Sequence, residues 1–93
     1  MDKMNGKEII VYARSIAPSL GKKERYVVKF ISNNYAQLPT LSIGELARQL
    51  DVSEAAVTKA CKKLRCKGYY ELKHIMEAYL KNSSSIGNVK RPI

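Results

Sequence analysis

The sequence has no run of about 18 apolar residues, so no segment is long enough to cross a bilayer as a helix. Its first residues, Met1-Asp2-Lys3-Met4-Asn5-Gly6, lack the apolar stretch and small-residue cleavage site of a secretory signal. Two cysteines, Cys61 and Cys66, cannot form the disulfide framework of a small secreted fold. With a single histidine, His74, they also fall short of the roughly four ligands that a zinc site needs. One histidine leaves no nucleophile, base and orienting group to assemble. The five glycines are scattered, so there is no phosphate-cradling loop. Period-2 alternation, the sign of a half-buried strand, is scarce. These absences lead to the expectation of a protein of the reducing cytoplasm that is not an enzyme, has no membrane partner and needs no metal or cofactor. At 93 residues the chain makes one domain with a modest core and little room for a deep cleft.

What is abundant is positive charge. Lys and Arg number 17 against 8 Asp and Glu, a net +9. The excess is not one tail. Four basic residues face one acidic over 21–40, and six face two over 53–73. A folded basic surface of this kind suits a polyanion, whose counterions it would release. Small basic domains can also simply be soluble.

Helical spacing predicts an all-α bundle of five helices, over 6–16, 22–33, 42–50, 53–64 and 70–80. Ile9, Tyr12, Ala13 and Ile16 share a face of the first, which Pro18 closes. Tyr26, Val27, Phe30 and Ile31 make the stripe of the second, and residues 35–41, with Pro39, read as a loop. Ser42-Ile43-Gly44-Glu45 fits a capping box at the start of the third. Val57, Ala60, Cys61 and Leu64 make the buried stripe of the fourth, after which Gly68 is available for a positive φ in the turn. Leu72, Ile75, Met76 and Tyr79 mark the fifth. Residues 1–81 form the domain, and 82–93, with Ser83-Ser84-Ser85, Gly87 and Pro92, lack periodicity and read as a flexible tail.

Residues 43–62 hold the pattern of a helix-turn-helix. Ala47 is small where the two helices cross. Leu46, Leu50, Val52, Val57 and Ala60 are apolar where the motif must pack. Asp51 occupies the turn position that needs a left-handed backbone, which Asp tolerates better than most residues. Ser53 caps the second helix and leaves its N-terminus facing outward, where backbone amides meet phosphate; Ser42, the cap of the preceding helix, is taken with it. In this geometry the N-terminal half of the second helix meets base edges in the major groove. Ala55 and Ala56 let it sit deep and offer methyls to thymine. Glu54 either accepts from cytosine or stabilises the helix dipole. Thr58 and Lys59 are the best placed for bases, and Lys62 and Lys63 for phosphates. One of Tyr69 and Tyr70 belongs in the core; the other, with Lys67 and Lys73, is a candidate for phosphate. The site set is therefore Ser42, Ser53, Glu54, Ala55, Ala56, Thr58, Lys59, Lys62, Lys63, Lys67, Tyr69 and Lys73. Each also has a plainer reading as solvated or core residue.

Residues 20–81 resemble the N-terminal DNA-binding domain of the RpiR family of bacterial transcription regulators. The resemblance is carried by Leu20 through Glu24, by Ser42-Ile43-Gly44-Glu45-Leu46-Ala47 and by Val52-Ser53-Glu54-Ala55-Ala56-Val57-Thr58-Lys59. It continues through Cys61-Lys62-Lys63-Leu64 and Lys67-Gly68-Tyr69-Tyr70-Glu71-Leu72-Lys73. Lys59 stands where the family usually has arginine, Ala60 where it has an aromatic, and Arg65-Cys66 where it has a glycine and an aromatic. Lysine lacks the fork with which arginine reads guanine. The resemblance implies sequence-specific binding of double-stranded DNA in regulating sugar or phosphosugar metabolism. Family members usually continue into a sugar isomerase-like domain that senses phosphosugars. Residues 82–93 then read as a truncated linker, and a phosphosugar effector is expected only with that further domain.

A single short module reads few base pairs, so a homodimer on a two-fold site is expected. The apolar stripes of the first and fifth helices are candidates for the dimer surface, or simply complete the core. Two rival readings keep the same fold: a protein-interaction module that has lost DNA binding, and a nonspecific nucleic-acid binder governed by salt.

Overall fold

The computed structural model describes residues 4–90, with side chains through residue 82. The described residues are helical throughout, with no strand: α1 (Gly6–Ile16), a 3₁₀ turn (Ala17–Ser19), α2 (Lys22–Asn33), a 3₁₀ segment (Tyr35–Thr40), α3 (Ile43–Leu50), α4 (Glu54–Lys63) and α5 (Tyr69–Lys90).

The helix starts are written locally. Asn5 Oδ1 accepts from the Glu8 amide at 2.8 Å while the Asn5 amide donates to Glu8 Oε1 at 2.9 Å, a reciprocal box that satisfies two otherwise orphaned donors. Ser42 and Glu45 do the same for α3, at 3.1 and 2.8 Å. The amide of Ser42 holds the Glu45 carboxyl below its ordinary pKa. Pro39 does not leave a loop between α2 and α3. Residues 35–40 close instead into 3₁₀ turns, with Gln37 N–H donating to Asn34 O and Leu41 N–H to Leu38 O. Short 3₁₀ runs tolerate a proline, whose ring nitrogen carries no hydrogen to donate and whose fixed φ suits the turn.

α2 is the central helix: it packs against α1 on one side and α4 on the other, while α5 closes the bundle against α1, α4 and the 3₁₀ segment. The core joins Ile9, Ile10 and Ala13 of α1 to Val27, Val28 and Ile31 of α2, Leu46 of α3, and Leu72 and Met76 of α5. The α4 stripe Val57, Ala60, Cys61 and Leu64 is fully buried, as its spacing predicts. The α2 stripe is displaced by a position: Val28 is buried and Tyr26 is exposed. The face that α2 turns to its neighbours is centred on 27, 28 and 31, which leaves Tyr26 at its edge with its hydroxyl in water.

α5 runs about ten residues past its expected end at 80. Hydrophobic periodicity reports a face turned to a core, not helicity itself, and no proline falls between Tyr69 and Pro92. The side chains of 83–93, on which the expectation of a tail or truncated linker rests, lie outside the described residues.

α1 and α5 meet backbone to side chain. Gly6 is buried, and a methyl built on it would come 2.5 Å from Tyr79 Cβ and 2.6 Å from its Cγ. Those atoms are the root of the side chain and cannot swing away. Gly6→Ala is therefore expected to destabilise the fold by about 1–3 kcal/mol through overpacking, although alanine is ordinarily the better helix former. Thermal unfolding reads the sign directly: a melting temperature equal to or above the parent's would show that the seam yields.

Both cysteine side chains are buried. Burial pushes the Cys61 thiol up to about 12. The reactive thiolate is thus almost absent near neutrality. Iodoacetamide at pH 8 is expected to leave both thiols unmodified in the folded protein and to label both in denaturant. Rapid labelling under native conditions would contradict the packing of α4.

Candidate nucleic-acid interface

The turn between α3 and α4 has the backbone that its sequence asks for. Asp51 stands at φ 58°, ψ 47°, in the left-handed region. Asp51 N–H donates to Arg48 O at 3.2 Å and Val52 N–H to Ala47 O at 2.9 Å, so two of the last carbonyls of α3 are paired as the chain turns. Ala47, only 4% exposed, lets the two helices approach. Ser53 Oγ then accepts from Ala56 N–H at 3.1 Å and starts α4.

The far end of α4 differs from expectation. The left-handed residue there is Arg65, at φ 66°, and Gly68 has no positive φ. The reason is register. Arg65 directly follows the last turn, where its N–H donates to Lys62 O and Cys66 N–H donates to Cys61 O, both at 3.0 Å. That pairing requires the left-handed conformation at 65 whatever residue stands there. The Arg65 guanidinium lies over the Tyr12 ring, 5.4 Å from its centroid, and ties the turn to α1.

Of the twelve candidate site residues, Ser53, Glu54 and Lys67 are exposed, and so are Ala55, Lys59, Lys62 and Lys63, which form one group on α4 with the half-buried Thr58. At 100° per residue these five lie within an arc of roughly 140° on α4. Four of the twelve are placed otherwise. Ala56 is 9% exposed, on the covered side of the helix, so its methyl is not displayed. Tyr69 is 2% exposed and its hydroxyl donates to Leu41 O at 2.7 Å and Leu38 O at 3.2 Å. It is the core tyrosine, and Tyr70, 72% exposed, is the one at the surface. Lys73 is on α5 with Nζ 5.9 Å from the Tyr69 ring centroid. Glu54 is turned toward the start of α3: a methyl on Gly44 would come 3.2 Å from its Oε2. Ser42 is engaged by its cap, and Lys67 is exposed in the turn after α4.

One residue escaped the sequence reading. Lys23, in the first turn of α2, lines a shallow depression of about 270 Å³ together with Ser53, Ala55 and Lys59. The basic excess over 21–40 was a visible signal, but only the packing of α2 on α4 brings Lys23 beside the Ser53 cap. Among the described residues no three His, Cys, Asp or Glu side chains converge to hold a metal, and no helix is long and apolar enough to cross a membrane.

Comparison with known proteins agrees with this geometry. Residues 4–83 match the family described as "Helix-turn-helix domain, rpiR family". An uncharacterized HTH-type transcriptional regulator of Caldanaerobacter subterraneus subsp. tengcongensis is 32% identical over 66 residues, 71% of this chain. The chain spans 23% of the length of that relative.

Proposed function

The chain belongs to the rpiR family of helix-turn-helix domains, and from that premise we propose that it is the DNA-binding part of a bacterial transcription regulator, with α4 as the helix that enters the major groove. One observation carries the reading: Ala55, Thr58, Lys59, Lys62 and Lys63 form a single face beside the Ser53 cap, on the second helix of a turn closed by the Asp51 and Val52 amides. Ala55 is short enough for close approach. Thr58 and Lys59 reach bases, and Lys62 and Lys63 reach phosphates. Lys23 adds a cation from α2 at the same end. Ser53 and Ser42 act by fixing helix ends, and Tyr69 by fixing the fold. Lys67 is a phosphate contact at the edge of the face.

The molecule acts as a homodimer on a two-fold site, because a face of five residues on one short helix specifies few base pairs. The regulated genes serve sugar or phosphosugar metabolism, a reading supported by the family resemblance.

Selection of bound sequences from a pool of random duplexes tests the proposal, with affinity followed at several salt concentrations. An enriched two-fold motif supports specific regulation. Binding that follows salt with no motif favours the nonspecific binder, and no binding at low salt favours the protein-interaction module.

A further inference from the structure

We propose that the cleft between α1 and α2 is a second anion site, which takes a phosphate group and is separate from the α4 face. The cleft has a volume of about 390 Å³ and is lined by Arg14, Ala17, Pro18, Arg25, Lys29 and Ser32, among others. That volume is within the range of small-ligand pockets. Three cations from two helices converge on it. None of the three has an ion pair or side-chain hydrogen bond among the described residues.

The fold alone accounts for one of them. Arg14 lies in the last turn of α1, where a cation complements the helix dipole. Arg25 is in the opposite situation, near the positive end of α2 and just after Lys22 and Lys23. The acid of that first turn, Glu24, lines the depression beside α4 and not this cleft. Gathering uncompensated like charges in one concavity lowers stability, and a bound anion reverses that cost.

The two basic regions are distinct. On α2, Lys23 and Glu24 flank the buried face of Val27, Val28 and Ile31 on the α4 side. Arg25, Lys29 and Ser32 flank it on the α1 side, with Arg25 roughly 200° around the helix from Lys23. A ligand in the cleft therefore does not occupy the α4 face.

The chemistry fits phosphate. Two guanidinium groups offer planar donor forks matched to its oxygens. Three cations suit a group carrying close to two negative charges. The shared chemistry has two sources, a free phosphorylated molecule or a backbone phosphate of bound DNA.

Two measurements on the whole chain test the site. In the first, inorganic phosphate is titrated and backbone amide shifts are followed by NMR. The expected result is saturable shifts at Ala17, Ser19, Ser32 and Asn33 that vanish in Arg25→Gln and persist in Lys59→Ala. In the second, the slope of log K against log salt is measured for a duplex. Loss of a backbone contact in Arg25→Gln lowers the slope by about 0.9 and identifies DNA as the source. Localised shifts with an unchanged slope identify a free phosphorylated ligand. Lys29→Gln serves if the half-buried Arg25 proves necessary for folding. No localised shift together with an unchanged slope overturns the proposal. The phosphate titration needs no DNA, so a failure of DNA binding does not alter what it reads.

Discussion

Lys59→Ala is expected to weaken binding to the selected duplex by about ten- to a hundredfold. Lys59 is exposed near the centre of the α4 face and also lines the depression with Ser53 and Lys23. Loss of a good base contact costs about 1–3 kcal/mol, and each 1.4 kcal/mol is a factor of ten. Fluorescence anisotropy with the motif and with a scrambled duplex separates two roles. A base contact loses affinity mainly for the motif; a phosphate contact loses it equally for both and makes the salt slope shallower by about one. Lys59→Arg retains the charge but adds a fork, so it is expected to keep the salt slope and shift the preferred base toward guanine at one position per half-site. An unchanged affinity in Lys59→Ala would remove α4 from the groove.

Tyr69→Ala is expected to destabilise the fold by about 3–5 kcal/mol, the usual cost of emptying a large aromatic site. A domain of this length has roughly 5–14 kcal/mol in all, so the variant should be close to unfolding at room temperature. The ring fills the junction between α5 and the core, and its hydroxyl holds two carbonyls at the entry to α3. Burial pushes that hydroxyl up to about 12, so it remains a neutral donor at any ordinary pH. Tyr69→Phe isolates the hydroxyl. It takes the hydroxyl from Leu41 O, while Leu38 O keeps the Leu41 N–H, and is expected to cost about 1–2 kcal/mol, a fall of some 4–8 °C in melting temperature per kcal/mol. Its affinity for DNA at a temperature where it is folded should match the parent's. A Tyr69→Phe protein with unaltered melting but weakened binding would return this residue to the phosphate contacts.

The two tyrosines show where sequence reasoning stops. Tyr69 and Tyr70 are neighbours of identical type, and their position before a helix puts one inward and one outward. Which is which depends on where the carbonyls of Leu38 and Leu41 come to lie, about thirty positions away. Ala56 is a similar case. It is adjacent to Ala55 and chemically identical to it, yet a 100° step carries it from the exposed face to the covered one. Gly68 was the evident residue for a left-handed turn, but the hydrogen-bond register after α4 places that conformation at Arg65.

The sequence by itself determined the five helices, the α4 stripe and the capped turn at 42–53. Each rests on interactions within about four residues: Ser42 with Glu45, Asp51 with Arg48, Ser53 with Ala56, and the helical spacing of Val57, Ala60, Cys61 and Leu64. It also determined that the molecule is basic in two separate segments. Only the tertiary structure decided how those segments are used. The packing of α2 between α1 and α4 sends Lys23 to one flank and Arg25 with Lys29 to the other, beside Arg14. A helix distributes its side chains around a full circle, and which arc meets a neighbour is settled by packing between elements distant in sequence.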